Sequence, residues 1–301
     1  MLHTYWQVGK HIVEFEQKGE VKAEYGKQLL IRLSKELSLE LGKGFSRSNL
    51  TYMRLFYLRY QKSETVSHKL SWSHYFELLK IEDDLERNFY QQQTIAENWS
   101  IRELKRHKTS ALFQRLALSR DKKGVLQLAK NGQTVASGED IIKDPYVLEF
   151  LHIPERHRYS EKELEQKIID NLQEFLLELG KGFAFIGRQY RVTLNNKHYR
   201  IDLVFYHRIL KCFVLIDLKI NEIEHHDIGQ MNMYLGYFET EMNVKDDNKP
   251  IGIILTTGKD TVMVEYAMHG ISNKIFVSKY QQYLPDKKIL QKKVQEIIDK
   301  E

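Results

Sequence analysis

Residues 200–220, RIDLVFYHRILKCFVLIDLKI, are two apolar runs joined by a short basic connection, with charges set inside them. Runs rich in branched and aromatic residues, bounded by a turn, predict β-strands, and a connection as short as HRILK predicts that the two strands are hairpin neighbours. Asp202, Asp217 and Lys219 interrupt these runs. Side chains alternate across a strand, so Asp217 and Lys219 project from the same side of theirs. Asp202 lies on the preceding strand, and all three can converge on one face. An isolated carboxylate in such a place is costly and survives only when paired or bound to a metal.

A fourth group comes from the segment SEKELEQKIIDNLQEFLLELGKG. Ser160 and Glu163 form a capping box, and Gly180 supplies the stop, which predicts a helix over 161–179. At about 100° per residue, Leu164, Ile168, Ile169, Leu172, Phe175, Leu176 and Leu179 define one buried face. Glu165 falls inside that face, Glu163, Asp170 and Glu174 lie opposite it, and Glu178 lies off its edge. Glu165 is therefore expected to point into the sheet. Two aspartates, a lysine and a glutamate suit metal-assisted phosphodiester hydrolysis. Carboxylate oxygens suit Mg²⁺ (or Mn²⁺), the ion activates water and neutralises charge on the phosphate, and a lysine orients the nucleophile or stabilises the transition state. The plainer alternative is an Asp–Lys pair on a solvated strand, worth little; the apolar surroundings and Glu165 argue against it.

The rest of the chain divides into two stretches. KNGQTVASGED, around 130–140, reads as a loop between a helical part, 1–130, and an α/β part, 144–301. In the second part FAFIGRQYRV, YRIDLVFY, KCFVLIDLKI, PIGIILTT and KIFVSKY read as strands, with the helix DIGQMNMYLGYFETEM after the third. In the first part GKQLLIRLSKELSLELG ends at Gly42 and Gly44, and WSIRELKRHKTSALFQRL opens with the capping box Ser100–Glu103. FSRSNLTYMRLFYLRYQ starts from Ser46 as N-cap. Its stripe of Leu50, Met53, Phe56 and Tyr57 leaves Arg47, Asn49, Arg54 and Arg59 to other faces.

Residues 1–130 carry 23 Lys and Arg against 15 Asp and Glu, whereas residues 131–301 carry 23 against 26. A basic first part suits a polyanion, most commonly nucleic acid, though a merely soluble basic surface reads the same way. Because Arg and Asn can read guanine and adenine edges, Arg47, Asn49 and Arg54 are candidate nucleic-acid contacts, with a solvated basic face as the alternative. No stretch is long and apolar enough to span a membrane, and the N-terminus is too polar for a secretory signal. Cys212 is the sole cysteine, which suits a reducing cytosol and predicts a cytoplasmic protein.

The order of elements, with Asp202, the Asp217-Leu218-Lys219 run and Glu165 on the leading helix, resembles the PD-(D/E)xK nuclease superfamily. The resemblance implies a restriction-endonuclease-like αβββαβ fold with a mixed sheet. In it Asp202 and Asp217 hold the metal with the Leu218 carbonyl, Glu165 supports the metal or its water, and Lys219 is the catalytic lysine. Gln230 and Tyr234, in QMNMY, resemble the QxxxY motif of RecB-type nucleases, which helps position substrate. LSWSHYFELL, ENWSIRELKR, DPYVLEFL, LLELGKGFAFIGRQYRV, IDLVFYHR and GQMNMYLGYFE resemble successive blocks of the YhcG-type family. That likeness spans nearly the whole chain and implies a winged-helix-like N-terminal domain, with a further helix preceding the block YWQVGKHIVEFEQ, close to which this chain begins.

Arg188 and Gln189, just ahead of the active-site strands, are candidate substrate contacts or an ordinary strand-exit pair. Tyr234 reads equally as core. His225, His226 and Asp227 read as a polar helix start, since adjacent helical residues diverge and no third ligand follows. The repeated LGKGF is a helix stop without phosphate-loop spacing. The expectation is a metal-dependent nuclease, most readily of DNA. An inactive nucleic-acid-binding relative and an RNA nuclease remain alternatives, and a homo-oligomer is left open.

Overall fold

The structure, a computed structural model, describes residues 1–18, 23–61, 66–154, 159–258 and 260–299. The chain forms two compact units, residues 1–108 with 126–132, and residues 109–125 with 133–301. Helices run in the order α1 Leu2–Lys18, α2 Ala23–Leu41, α3 Arg47–Arg59, α4 Trp72–Leu78, α5 Asp84–Glu97, α6 Ile101–Thr109, α7 Leu112–Ala117 and α8 Lys122–Asn131. Among the described residues the first unit holds helices and no strand, so a β-wing is not part of what is seen. The Ser46 side chain caps α3 through the Asn49 N–H, and Ser100 and Glu103 make the expected capping box. Leu50, Met53 and Phe56 are fully buried along α3.

The helices α1 and α3 approach closely because of Gly9. A Cβ there would stand 2.0 Å from the Met53 carbonyl oxygen and 2.7 Å from its carbonyl carbon. Those atoms are backbone and cannot swing aside as a side chain would.

In the second unit, β1 Tyr146–Val147 precedes α9 Glu161–Asp170 and α10 Leu172–Leu179. Next come β2 Phe183–Leu194, β3 Lys197–His207, β4 Cys212–Leu218, α11 His225–Tyr237, β5 Ile251–Thr256, α12 Thr261–Met268, β6 Lys274–Gln281 and α13 Lys287–Asp299. The strands form one mixed sheet in the order β1-β6-β5-β4-β3-β2. β2, β3 and β4 pair antiparallel, whereas β4, β5, β6 and β1 pair parallel. One core lies between the sheet and α9–α10, with Leu203, Phe205, Val214 and Ile216; the other lies under α11 and α12, with Val204, Leu215 and Ile254. Both faces of β4 are covered, which is why its sequence is nearly continuous in apolar residues instead of alternating.

Three features depart from the sequence expectation. The strand β1 is only two residues long and follows no periodic signal; α12 and α13 add helices beyond the expected order. The helix expected over 161–179 breaks at Asn171 (φ −121°, ψ 37°) into α9 and α10. The break resets the helical phase, so Glu178 is fully buried instead of lying off the apolar edge.

Glu178 meets Arg115 there, both side chains being 0 % exposed. The guanidinium donates to Glu178 Oε1 at 2.6 Å and Oε2 at 3.3 Å, to the Ser110 carbonyl at 2.9 Å and to the Pro145 carbonyl at 3.0 Å. Glu178 Oε1 also accepts the Val147 N–H at 3.0 Å, which ties β1 into the same network. The pair thus joins residues 109–125 to the sheet.

Two stability outcomes are expected in urea denaturation. Gly9→Ala should destabilise by about 2 kcal/mol or more, because overpacking against backbone typically costs about 1–3 kcal/mol. Glu178→Ala should cost about 3–5 kcal/mol, since it strands a buried guanidinium without its counter-charge.

Candidate active site

The register of the sheet assembles the acids. Leu203 pairs with Ile216, so Asp202 comes opposite Asp217 one step further along. Arg188 pairs with Leu203 and Tyr190 with Ile201, which brings Gln189 opposite Asp202 on its other side. Gln189, Asp202 and Asp217 therefore form one row across β2, β3 and β4. At that row the ladder opens, and Gln189 adopts φ 47°, a left-handed conformation uncommon outside glycine. Backbone held there costs about 1–3 kcal/mol, and six other non-glycine residues of the described chain, Asn98 and Lys211 among them, share that region.

Gln189 Nε2 donates to Glu165 Oε2 at 2.6 Å and to Asp202 Oδ1 at 3.0 Å. The amide links the acid on α9 to the acid on β3. Asp202 Oδ2 accepts the Leu218 N–H at 2.8 Å, which fixes the carboxylate to the end of β4. Asp217 is buried, and its Oδ1 has no hydrogen-bond partner. Burial raises the carboxyl of Asp217, and the neighbouring Asp202 charge raises it further. Burial likewise raises Asp202, with the Glu165 charge adding to it, against the Leu218 hydrogen bond. Two such groups resist being ionised together unless a cation joins them.

Burial alone would lower Lys219, but the Asp217 and Asp227 carboxylates offset that and hold its ammonium above its ordinary value. Its Nζ stands 3.0 Å from Asp227 Oδ1. On α11, Asp227, Gln230 and Tyr234 follow at intervals of three and four, which puts them on one helix face. Gln230 donates to the Tyr234 hydroxyl, which in turn donates to the Arg200 carbonyl at 3.0 Å. Tyr234 is fully buried, and burial pushes its hydroxyl up to about 12.

A cleft of about 370 Å³ opens beside Glu165, Gln189 and Asp202, with Lys162, Arg188 and Arg200 on its walls. Asp217 lies one strand further in. Arg188 Nη1 donates to Gln166 Oε1 at 2.8 Å, so its guanidinium is held at the cleft by α9.

In the first unit, Arg47 is exposed at the start of α3, while Arg54 is half-buried. Asn49 is occupied otherwise: its Nδ2 donates to the Gly44 carbonyl at 2.9 Å and holds the turn before the helix. Arg59 is paired with Asp84 at 2.9 Å.

Among the described residues no three His, Cys, Asp or Glu side chains stand together as a ready metal cage. A hard ion of the Mg²⁺ kind takes one or two carboxylates and completes its shell with water and substrate phosphate. The partnerless Asp217 oxygen beside Asp202 fits such an ion. Sequence reasoning missed Gln189 as a bridge between acids, because a single glutamine in a strand carries no signal. The polar helix start expected at His225, His226 and Asp227 is there, with Asp227 completing the capping box of α11; its second contact, to Lys219, carries no mark in the sequence.

No helix among the described residues is long and apolar enough to cross a membrane. The family model described as the YhcG PDDEXK nuclease domain matches residues 139–295, and the model described as the DUF1016 N-terminal domain matches residues 1–115. Among curated proteins, "Putative nuclease YhcG" of Escherichia coli (strain K12) is 39 % identical over 322 residues, covering 96 % of this chain and 85 % of its own. Two solved structures are more distant. A repair endonuclease from Pyrococcus abyssi has a TM-score of 0.30 at 16 % identity, over 43 % of this chain and 50 % of its own. An EndoMS–dsDNA complex has a TM-score of 0.31 at 15 % identity, over 44 % and 50 %. With two family models in chain order and a curated relative aligned along nearly its whole length, the chain belongs to the YhcG PDDEXK nuclease family.

Proposed function

We propose that this protein is a divalent-metal-dependent nuclease that hydrolyses phosphodiester bonds of DNA. The observation that carries the reading is the buried Asp217 oxygen without a partner, set beside Asp202 in the same row of the sheet. Asp202 and Asp217 would hold the ion, with Glu165 positioned through Gln189 at the cleft side. Bound there, a Mg²⁺ or Mn²⁺ ion supplies an activated water and neutralises charge on the phosphate. Lys219 presents its ammonium next to the acids, where a fixed cation stabilises developing negative charge. Lys162, Arg188 and Arg200, which share the cleft wall with Glu161, Glu165 and Asp202, offer cations to the phosphates flanking the scissile bond. Gln230 and the buried Tyr234 act from behind, by fixing the Arg200 end of β3.

The basic surplus of residues 1–130 supports a DNA-binding role for the helical unit, and Arg47 is its best-exposed candidate contact. Asn49 is a weaker candidate for base readout, because its amide is already spent on Gly44. Arg54, half-buried, is better suited to backbone contact than to reading bases.

Asp217→Asn, close in shape, should lower metal-dependent cleavage by more than about 100-fold, beyond the usual effect of losing an outer-shell partner. It should also weaken Mn²⁺ uptake in calorimetry and leave DNA binding largely intact. Equal cutting of linear, circular and single-stranded DNA by wild type and variant would refute the assignment. Preferential cutting of RNA in the same panel would move the substrate. Mn²⁺-independent, salt-sensitive DNA binding without cleavage would mark an inactive binding protein.

Arg188→Ala and Arg200→Ala should each weaken DNA binding across sequences, and each should reduce the slope of log affinity against log salt by about 1, as loss of one phosphate contact does. Slopes equal to that of wild type would remove these residues from the substrate path.

A further inference from the structure

We infer that Asp227 is a positioning residue for cleavage: from the first turn of α11 it fixes the Lys219 ammonium beside the paired aspartates. This rests on the reading of Lys219 as the lysine that assists phosphodiester hydrolysis. A lysine carries its charge on a flexible four-carbon stem, and freezing that stem costs rotamer freedom. An ammonium that must stand at one point therefore needs a partner that is itself immobile.

Asp227 meets that need. It is buried, with Oδ1 at 3.0 Å from Lys219 Nζ. Its Oδ2 accepts the Glu224 N–H at 2.9 Å, so the carboxylate is clamped from its other side and cannot turn away. The backbone of Lys219 is fixed as well, its N–H donating to the Leu255 carbonyl at 2.7 Å. Both ends of the lysine are thus anchored, one to β5 and one to α11. The other group that reaches Asp227 is His226, with Nε2 at 3.5 Å on an exposed ring.

The position of Asp227 on the helix adds a second constraint. Gln230, three residues on, donates to Tyr234, whose hydroxyl donates to the Arg200 carbonyl near Asp202. One face of α11 therefore touches both active-site strands, Asp227 at the end of β4 and Tyr234 at β3. A shift of the helix would move the lysine and the Asp202 strand together. A capping carboxylate with no further role would need only its Glu224 contact; here one oxygen caps and the other holds the cation.

The test separates capping from positioning. Asp227→Asn keeps an acceptor for the Glu224 N–H and nearly the same volume, but it removes the charge facing Lys219. Acetylation by acetic anhydride, followed by peptide mass spectrometry with Lys162 as internal reference, reads Lys219 without any cleavage assay; since removing the charge by itself leaves more neutral amine to react, the charge-keeping Asp227→Glu variant decides whether its placement has changed. The expected result is faster labelling of Lys219 relative to Lys162 in the variant, with thermal stability nearly unchanged. In Mn²⁺-dependent cleavage, kcat should fall about 100-fold, the size expected for a catalytic group misplaced by about 1 Å, while KM for DNA and Mn²⁺ affinity stay at wild-type values. Asp227→Glu, which keeps the charge one methylene out of place, should give intermediate values. It carries the test should the Asn variant not fold. Wild-type labelling of Lys219 in these variants, or faster labelling with unchanged kcat, overturns the proposal. A wild-type protein that does not cleave would overturn the nuclease reading instead, and with it the catalytic half of this one; the labelling would still decide whether Asp227 fixes Lys219.

Discussion

Two carboxylates held opposite each other across a β-sheet repel, and burial has taken from them much of the water that would screen them. The pairing of β3 with β4 forces Asp202 and Asp217 into that arrangement. Relief comes from around them. The Leu218 N–H and the Gln189 amide satisfy Asp202, Lys219 supplies nearby positive charge, and the remaining oxygen of Asp217 is left without a partner. An effective dielectric of about 4–20 strengthens each of these interactions relative to water, so a divalent ion would gain most where the protein has spent most on desolvation.

The topology explains why this happens at the end of β4. On one side β4 pairs antiparallel with β3, and on the other it pairs parallel with β5. A parallel neighbour requires a crossover, and α11 forms part of it, beginning at His225 with six residues between it and the strand. In open sheets the carboxyl ends of strands, where connection sense changes, are the places left uncovered for ligands. Here that opening receives a helix start bearing Asp227, a cleft walled by Arg188 and Arg200, and the acid Glu165 from α9. The apolar bulk of β4 buries the aspartates; the strand's end keeps them within reach of solvent on the Asp202 side.

Much of this is legible in the amino-acid sequence. Charges inside apolar strands are costly, and that cost alone singled out Asp202, Asp217 and Lys219; a helical phase argument added Glu165. The capping boxes at Ser100 and Ser160 follow from a Glu three residues after each Ser and form as expected. The same phase argument misplaced Glu178, because it ran an uninterrupted helix through Asn171. A broken turn leaves no clear mark in an amphipathic pattern. Gln189 was legible as a residue but not as a bridge, since its left-handed φ depends on the opening of the ladder. Asn49 illustrates the reverse. Its residue type suits base recognition, yet a backbone carbonyl five residues earlier claims its amide.

The buried Arg115–Glu178 pair sets how the second unit can be cut from the chain. Replacing a buried ion pair by apolar residues of similar volume is often neutral or stabilising, so the pair is weak evidence for stability in itself. What it does is join segments distant in sequence: Ser110 and Arg115 before the loop, Pro145 and Val147 around β1, and Glu178 at the end of α10. A fragment beginning at residue 144 would keep the carboxylate and lose the guanidinium. The sheet would then carry an unpaired buried charge next to β1, its shortest strand. Residues 109–125 are therefore part of what folds around the sheet, although the loop at 130–140 is where the sequence changes character.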